Sequence, residues 1–231
     1  MAFEVQFPDV ALAVQNVIAN QRLNERSARQ PDYAAQVAAT TTVVKALAET
    51  PDSVLAKLSQ GVLQLTGADS AGVSLFGRAN GNRVFLWQAA VGLFEKYLGA
   101  VVPYEESPCG LVISTDKTML MLNPGEAYKT AAQVQPPIEE VLLVPFHVNG
   151  QAVGTVWAIS QGHKKFDAED ARLITDMSEL AALAYHVLTK MGDLELLNKA
   201  VQLVAEEQLQ FPLAAAVRPV TDQRTVETIT D

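Results

Sequence analysis

Residues 141–159, VLLVPFHVNGQAVGTVWAI, contain the strongest turn signal in the chain. Asn149-Gly150 is a dipeptide that favours a two-residue β-hairpin turn. The stretches on either side, 141–144 and 153–159, are apolar on both faces rather than at alternate positions. Because an apolar face on each side of a strand must be covered, this stretch predicts a central hairpin in a sheet that is covered on both sides.

A second hairpin is predicted upstream of it. Residues 72–76 and 84–88 are rich in strand-forming residues and flank the turn sequence Asn-Gly-Asn at 80–82. Before this hairpin, residues 50–67 predict a helix that begins at Thr50-Pro51 and ends at Gly67. Its apolar stripe consists of Val54, Leu58, Val62 and Leu65.

The segment between the two hairpins is irregular. Residues 93–98 predict a short helix, and residues 101–104 predict a short edge strand, since Pro103 cannot donate to a central ladder. Ser107-Pro108 is a helix-start signal, and residues 119–122 predict a further strand. Pro136-Pro137 is expected to end any helix or strand that lies before the last hairpin.

The N-terminal residues predict two alanine-rich helices. Asp9 can cap the first, whose apolar stripe leads to a polar turn at 22–31, and Asp32 can cap the second. The first stripe comprises Val10, Val14, Val17 and Gln21. The second is a weak heptad seam that comprises Tyr33, Val37, Thr40, Val44 and Leu47. The second helix either packs on its own domain or forms a dimer contact, and the sequence leaves both interpretations open.

The last helix is predicted to begin after Asp167, which can cap it. Its apolar residues recur at heptad spacing, which is typical of helices that pair with other helices. We therefore expect a homodimer, through a seam that comprises Leu173, Met177, Leu180, Val187, Met191 and Leu194.

Composition excludes several functional classes. The 231 residues carry 17 lysines and arginines against 26 aspartates and glutamates, a formal charge of −9. Nucleic-acid binding needs a cationic surface, so we expect no nucleic-acid partner. The longest apolar runs are about six residues against the ~20 that span a bilayer, and the N-terminus has no secretory signal. We therefore expect a cytoplasmic protein with no membrane partner.

The order of these elements resembles a GAF domain. Residues 68–75, ADSAGVSL, are similar to the family's passage from helix to first strand. Residues 141–146 with Gly150 and 153–157 are similar to its late hairpin, and 166–170 with Leu173 resembles the start of its last helix. The resemblance implies an α+β fold with a six-stranded antiparallel sheet, helices on both faces, and long N- and C-terminal helices.

The resemblance also implies a domain organisation and a function. Residues 1–49 would form N-terminal helices, 50–190 the GAF domain, and 191–231 a C-terminal helical extension with a frayed tail. The domain would be a sensory module, not an enzyme, that binds an unidentified small molecule and signals through its terminal helices to a separate protein. The alternatives are a ligand-free scaffold that acts by dimerisation and a bilin photoreceptor.

In the family, the ligand pocket lies between one sheet face and the irregular segments after the second strand. In this chain those segments run from residue 93 to 117. Some of the predicted ligand-binding residues combine an apolar surface with a hydrogen-bonding group. The others lie at the start of the short helix, where free N–H groups can bind an anion or a carbonyl and lower the pKa of a thiol. Together these residues are Trp87, Tyr104, Ser107, Cys109 and Gly110.

Other chemistries find little support in the residues. Cys109 is the one cysteine of the chain, so it cannot form the disulfide through which the family's methionine sulfoxide reductases act. No cysteine precedes it and no histidine adjoins it, which disfavours a bilin adduct. Lys164, Lys165, Phe166 and Asp170 only partly match the family's cyclic-nucleotide motif. We expect no metal, and the cofactor is left unknown.

Overall fold

The computed structural model describes residues 12–162 and 164–191. Within these residues the chain forms seven α-helices and six strands. The helices are α1 (Leu12–Val17), α2 (Gln21–Glu25), α3 (Tyr33–Glu49), α4 (Val54–Thr66), α5 (Pro108–Thr115), α6 (Lys129–Ala132) and α7 (Ala168–Met191). None of the helices in this part of the chain is long and apolar enough to cross a membrane.

The strands form one antiparallel sheet in the order β3-β2-β1-β6-β5-β4. They are β1 (Ser70–Ala79), β2 (Asn82–Gly92), β3 (Val101–Pro103), β4 (Met119–Leu122), β5 (Glu140–Val148) and β6 (Gln151–Ser160). The predicted GAF-like fold, an α+β domain with a six-stranded antiparallel sheet, is confirmed. The hairpins turn at Asn80-Gly81 and Asn149-Gly150, where all four residues have positive φ, as a type I′ turn requires.

Each face of the sheet carries its own apolar core. On one face α4 and α7 pack against residues such as Val73, Leu142 and Val156, and α3 packs on these two helices. On the other face α5, α6 and the loops around them cover residues such as Leu143 and Trp157. Alternate side chains of a strand point to opposite faces, so the near-continuous apolar runs of β5 and β6 supply both cores.

Residues 12–29, which we call the N-terminal arm, cross from one face of the sheet to the other. Ile18 forms a bridge with Met121 on β4, and the Ala19 N–H donates to the Leu120 carbonyl at 2.8 Å. The Asn20 side chain accepts from the Leu120 N–H at 2.7 Å. The arm therefore adds to the sheet beside β4 before the chain enters α3.

The first N-terminal helix was predicted wrongly. The predicted stripe runs through residue 21, but α1 ends at Val17, and α2 begins at Gln21 and continues into the predicted polar turn. The pairing of Ile18 and Ala19 with β4 interrupts the helix, because the backbone groups that bond to a strand are not available to the helix. Asp9 and Val10 lie outside the described residues.

The second N-terminal helix follows the prediction. Asp32 caps α3, since its carboxylate accepts from the Ala35 N–H at 2.9 Å. Val43 and Ala46 are buried, whereas Tyr33, Val37 and Val44 are 66%, 65% and 48% exposed. Three members of the predicted heptad seam of α3 therefore face solvent, whereas Thr40 is half-buried and Leu47 packs against the domain's own core.

The seam on the last helix is only partly available to a second copy. Leu173 and Met177 are buried in the domain's own core, which contradicts their predicted role in a dimer. Leu180 and Val187 are half-buried and Met191 is exposed, while Leu194 lies outside the described residues. A straight helix turns by about 20° per heptad relative to a strict seven-residue repeat, so the seam moves from the core toward solvent along α7.

Candidate functional site

A partly enclosed apolar cavity lies between the sheet and the segment that runs from β2 to β5. It measures about 50 Å³. The sheet side is formed by β2, β3, β5 and β6, and the opposite side by α5, α6 and the loops that flank α6. The cavity is therefore inside the second core, on the face of the sheet away from α3, α4 and α7.

The sheet wall of the cavity is apolar and largely aromatic. It consists of Trp87, Val102, Val141, Leu143, Trp157 and Ile159. The rings of Trp87 and Trp157 lie 5.7 Å apart between centroids, and Phe94 lies 5.6 Å from Trp87 and 5.9 Å from Trp157. These three rings pack in tilted and edge-to-face arrangements, which are the preferred geometries of aromatic pairs.

The position of Trp157 depends on a missing side chain on the neighbouring strand. A Cβ on Gly72 of β1 would lie 2.2 Å from the Trp157 ring and 2.3 Å from the Ala89 carbonyl. The Trp157 indole N–H donates to the Ser74 hydroxyl at 2.9 Å. The glycine lets the indole lie across β1, and the hydrogen bond fixes its orientation.

The opposite wall comes from two short helices and the loops around them. It consists of Ser107, Pro108, Cys109, Pro124, Thr130, Ala131, Val134 and Ile138. Residues 107–109 form the start of α5, while 124–138 surround α6. Both parts are short elements with few backbone ladder bonds, so this wall is expected to be the less rigid of the two.

The polar groups around the cavity already have partners within the protein. The Ser107 hydroxyl accepts from the Cys109 N–H at 3.2 Å, and the Thr130 hydroxyl donates to the Glu106 carbonyl at 2.6 Å. The Gly110 N–H donates to the Ser107 carbonyl at 2.9 Å. The start of α5 is therefore capped by its own residues. The Cys109 and Gly110 N–H groups, which were expected to receive an anion or a carbonyl, are already bonded within the protein.

Cys109 is buried and does not have the environment of a reactive thiol. Its sulfur accepts from the Thr155 hydroxyl at 3.2 Å. Burial raises the pKa of the Cys109 thiol, and hydrogen bonds from Thr155 and Ser107 only partly offset that effect. The sequence-based expectation that the helix start lowers this pKa is wrong, because desolvation of the thiolate outweighs the field of a short helix.

The structure brings three of the five predicted ligand-binding residues together at the cavity. Trp87, Ser107 and Cys109 line it. Tyr104 is buried nearby, but its ring stacks on Phe85 at 5.5 Å and lies under the Arg83 guanidinium. Gly110 serves close packing instead, since a Cβ there would lie 2.2 Å from the Tyr104 carbonyl.

Sequence reasoning missed most of the two walls. The strand residues Val141, Leu143, Trp157 and Ile159 could have been found, because they alternate along β5 and β6 and must share one face with each other. The residues of the opposite wall between Pro124 and Ile138 follow no helix or strand period. Only the tertiary structure places them over the sheet.

The cavity lies next to a network of charged residues that holds the N-terminal arm. Glu140, at the start of β5, is buried and accepts two hydrogen bonds from the Arg26 guanidinium at 2.8 Å each. Arg26 also donates to the Phe166 carbonyl at 2.6 Å. Arg29 donates to the buried Asp170 carboxylate near the start of α7, at 2.9 Å from Nη2. The arm is thus anchored to β5 and α7 at once.

The described residues offer no cluster of three or more histidine, cysteine, aspartate or glutamate side chains that could hold a metal ion. His147 contacts Asp116 on the surface, and His186 is exposed on α7. Neither histidine lines the cavity.

Comparison with known proteins identifies the fold. A family model described as GAF domain matches residues 48–186. No curated protein matches the chain in sequence.

Three solved structures illustrate the similarity. The GAF domain from an Acinetobacter phosphoenolpyruvate-protein phosphotransferase is 14% identical over 68% of this chain and 96% of its own, with a TM-score of 0.57. Free methionine-R-sulfoxide reductase from Neisseria meningitidis, in complex with its substrate, is 15% identical over 71% and 97%, with a TM-score of 0.55. The phycoerythrobilin-bound GAF domain of a cyanobacterial phytochrome is 10% identical over 67% and 96%, with a TM-score of 0.52. At these identities the similarity concerns the fold alone.

Proposed function

Because the chain belongs to the GAF domain family, whose members are generally sensory or regulatory modules, we propose that it is a non-catalytic sensor in the cytoplasm that binds a small molecule in the cavity described above. The observation that carries this proposal is the cavity itself. A well-packed core rarely keeps a void larger than a water molecule, and this one has a rigid sheet wall opposite a wall of short helices and loops.

The connection from the cavity to the terminal helices supports a signalling role. Val141 and Leu143 line the cavity, and Glu140 of the same strand holds Arg26 of the N-terminal arm. The arm leads directly into α3. A shift of β5 on ligand binding would therefore move the Glu140–Arg26 pair and, through it, the start of α3, and from there a separate partner protein would receive the change.

Native mass spectrometry of the freshly purified chain tests the proposal, since it detects a retained ligand directly. A metabolite screen by thermal shift and tryptophan fluorescence extends the test to ligands that are lost on purification. We expect a compound that raises Tm in the wild type and in Ala132→Leu, an exposed neighbour on α6, but not in the cavity-filling variant Ala131→Leu. The absence of any such compound would favour the scaffold alternative.

A specific observation favours dimerisation, which is compatible with both the sensor and the scaffold alternatives. Tyr33 and Gln36 of α3 lie beside Arg172 and Asp176 of α7, so the two helices meet near their N-terminal ends. Both carry exposed apolar residues further along, which we call the apolar stripe: Val37, Val44, Leu183 and Met191. We expect these exposed apolar residues to pack against those of a second copy, so that α3 and α7 of both copies form a four-helix bundle.

The photoreceptor alternative has less support. A tetrapyrrole needs a pocket of several hundred cubic ångströms, against about 50 Å³ in this structure. Covalent attachment also needs a nucleophilic thiol, whereas burial raises the pKa of Cys109. We expect the purified protein to be colourless.

A further inference from the structure

The charge, the hydrogen-bonding groups and the size of the cavity together define the class of ligand, provided that the proposed sensing function holds. No charged side chain is among the described residues that line the cavity. An ion moved from water into such a site without a countercharge or hydrogen bonds costs many kcal/mol. Nothing in the walls offsets that cost, so the ligand cannot carry a formal charge.

The hydrogen-bonding groups of the walls restrict the ligand further. The Ser107, Thr130 and Trp157 side chains all bond within the protein, and the Cys109 sulfur accepts from Thr155. A polar ligand could use only the remaining lone pairs of the Ser107 and Thr130 hydroxyls, so any further donor or acceptor that it carries would be buried without a partner. An apolar ligand carries no such groups and gains contact with the rings of Trp87, Phe94 and Trp157.

Size gives the third restriction. A single water occupies roughly 10–15 Å³ of a cavity measured in this way, and an apolar cavity of about 150 Å³ accommodates benzene. A cavity of about 50 Å³ therefore has room for a few non-hydrogen atoms and is too small for a nucleotide, a haem or a bilin.

We propose that the cavity binds an uncharged, apolar molecule of about three to five non-hydrogen atoms, held against the rings of Trp87, Phe94 and Trp157. The tryptophans make this testable without a label, because both tryptophans of the chain line the cavity. Any change in the indole N–H resonances or in tryptophan fluorescence reports on this site.

The experiment compares two probes of the same size and opposite character. Dimethyl sulfide is neutral and dimethylammonium is charged, and each has three non-hydrogen atoms. The full chain is titrated with each probe while the two indole N–H signals are followed by NMR. We expect saturable shifts with dimethyl sulfide and none with dimethylammonium. Ala131→Leu should weaken the dimethyl sulfide affinity at least tenfold, and Ala132→Leu should leave it within twofold of wild type.

Each result decides the proposal. Saturable binding of dimethylammonium at equal or higher affinity than dimethyl sulfide overturns the proposal. The proposal is also overturned if dimethyl sulfide causes no shift of the indole N–H signals in the wild-type chain, and this outcome needs no variant. If the metabolite screen finds a polar or larger ligand whose binding is abolished by Ala131→Leu, the sensing function stands and the proposed apolar class of ligand is wrong. If neither probe nor any metabolite binds, both the class and the sensing function are wrong.

Discussion

The Thr155 hydroxyl donates to the Cys109 sulfur at 3.2 Å, so a single hydrogen bond joins β6 to the start of α5 at the cavity. Both side chains are buried. This contact connects the rigid wall of the cavity to the wall made of short elements, and it orients the thiol, which burial keeps neutral.

The buried thiol predicts a specific loss of stability at alkaline pH. Burial raises the pKa of Cys109 in the folded state, whereas the unfolded thiol ionises near pH 8.5. Above that pH, unfolding releases a proton, so the free energy of unfolding falls by about 1.4 kcal/mol per pH unit until the folded thiol also ionises. Urea unfolding at pH 7.5 and 9.5 should show this fall in the wild type but not in Cys109→Ala. Equal falls in both proteins would contradict the assignment.

Gly72 and Gly77 form a matched pair on β1. A Cβ on Gly72 would overlap the Trp157 ring and the Ala89 carbonyl, while a Cβ on Gly77 would meet nothing within 4 Å. We expect Gly72→Ala to destabilise the fold by roughly 3 kcal/mol or more and to change the tryptophan emission spectrum. Gly77→Ala should be neutral or stabilise by up to about 1 kcal/mol. Thermal and urea unfolding check both, and similar losses in the two variants would refute the packing argument.

Arg26 and Arg22 test the anchoring of the N-terminal arm. Arg26 pairs with the buried Glu140, whereas Arg22 pairs with Glu25 on the surface. Arg26→Met leaves a buried carboxylate without its main partner and should cost roughly 2–4 kcal/mol of unfolding free energy. Arg22→Met should cost less than about 1 kcal/mol. Hydrogen exchange should also show faster opening of residues 12–29 in Arg26→Met alone, and unchanged exchange there would argue against the anchor.

The apolar stripe predicts self-association that a single charge can prevent. Leu183 is 47% exposed on α7, and Thr189, also exposed, lies about 120° around the helix from Leu183. In light scattering at micromolar concentrations we expect a dimer for the wild type and for Thr189→Glu. Leu183→Glu should be monomeric with an unchanged Tm when measured at low concentration. A monomeric wild type at high micromolar concentration would exclude this interface.

Local patterns were sufficient to predict the strands and their turns. Asn80-Gly81 and Asn149-Gly150 define the hairpins through residues that tolerate positive φ, and this property does not depend on the rest of the chain. The central position of β5 and β6 followed from their apolar character on both faces. The cap of α3 at Asp32 was equally predictable, since it involves residues three positions apart.

Features that depend on distant residues were not predictable. The break after Val17 arises because Ile18 pairs with Met121, about one hundred residues further along. Likewise the periodicity of α7 marks Leu173 and Leu180 alike, although only the fold decides that Leu173 faces the domain's own core. The cavity wall around Ala131 and Val134 has no pattern of its own, so only the residues at the start of α5 and on β2 were identified from sequence.

The contact between the N-terminal arm and β4 also bears on how copies of the protein can aggregate. An open row of backbone N–H and C=O groups on an outermost strand invites another chain to add a strand to the sheet. Here the Ala19 N–H and the Asn20 side chain already occupy the Leu120 backbone groups on one side. On the other side β3 is only three residues long and ends at Pro103, which has no N–H to offer. Growth into fibrils by strand addition is thereby disfavoured at both ends of the sheet, even when the protein is concentrated.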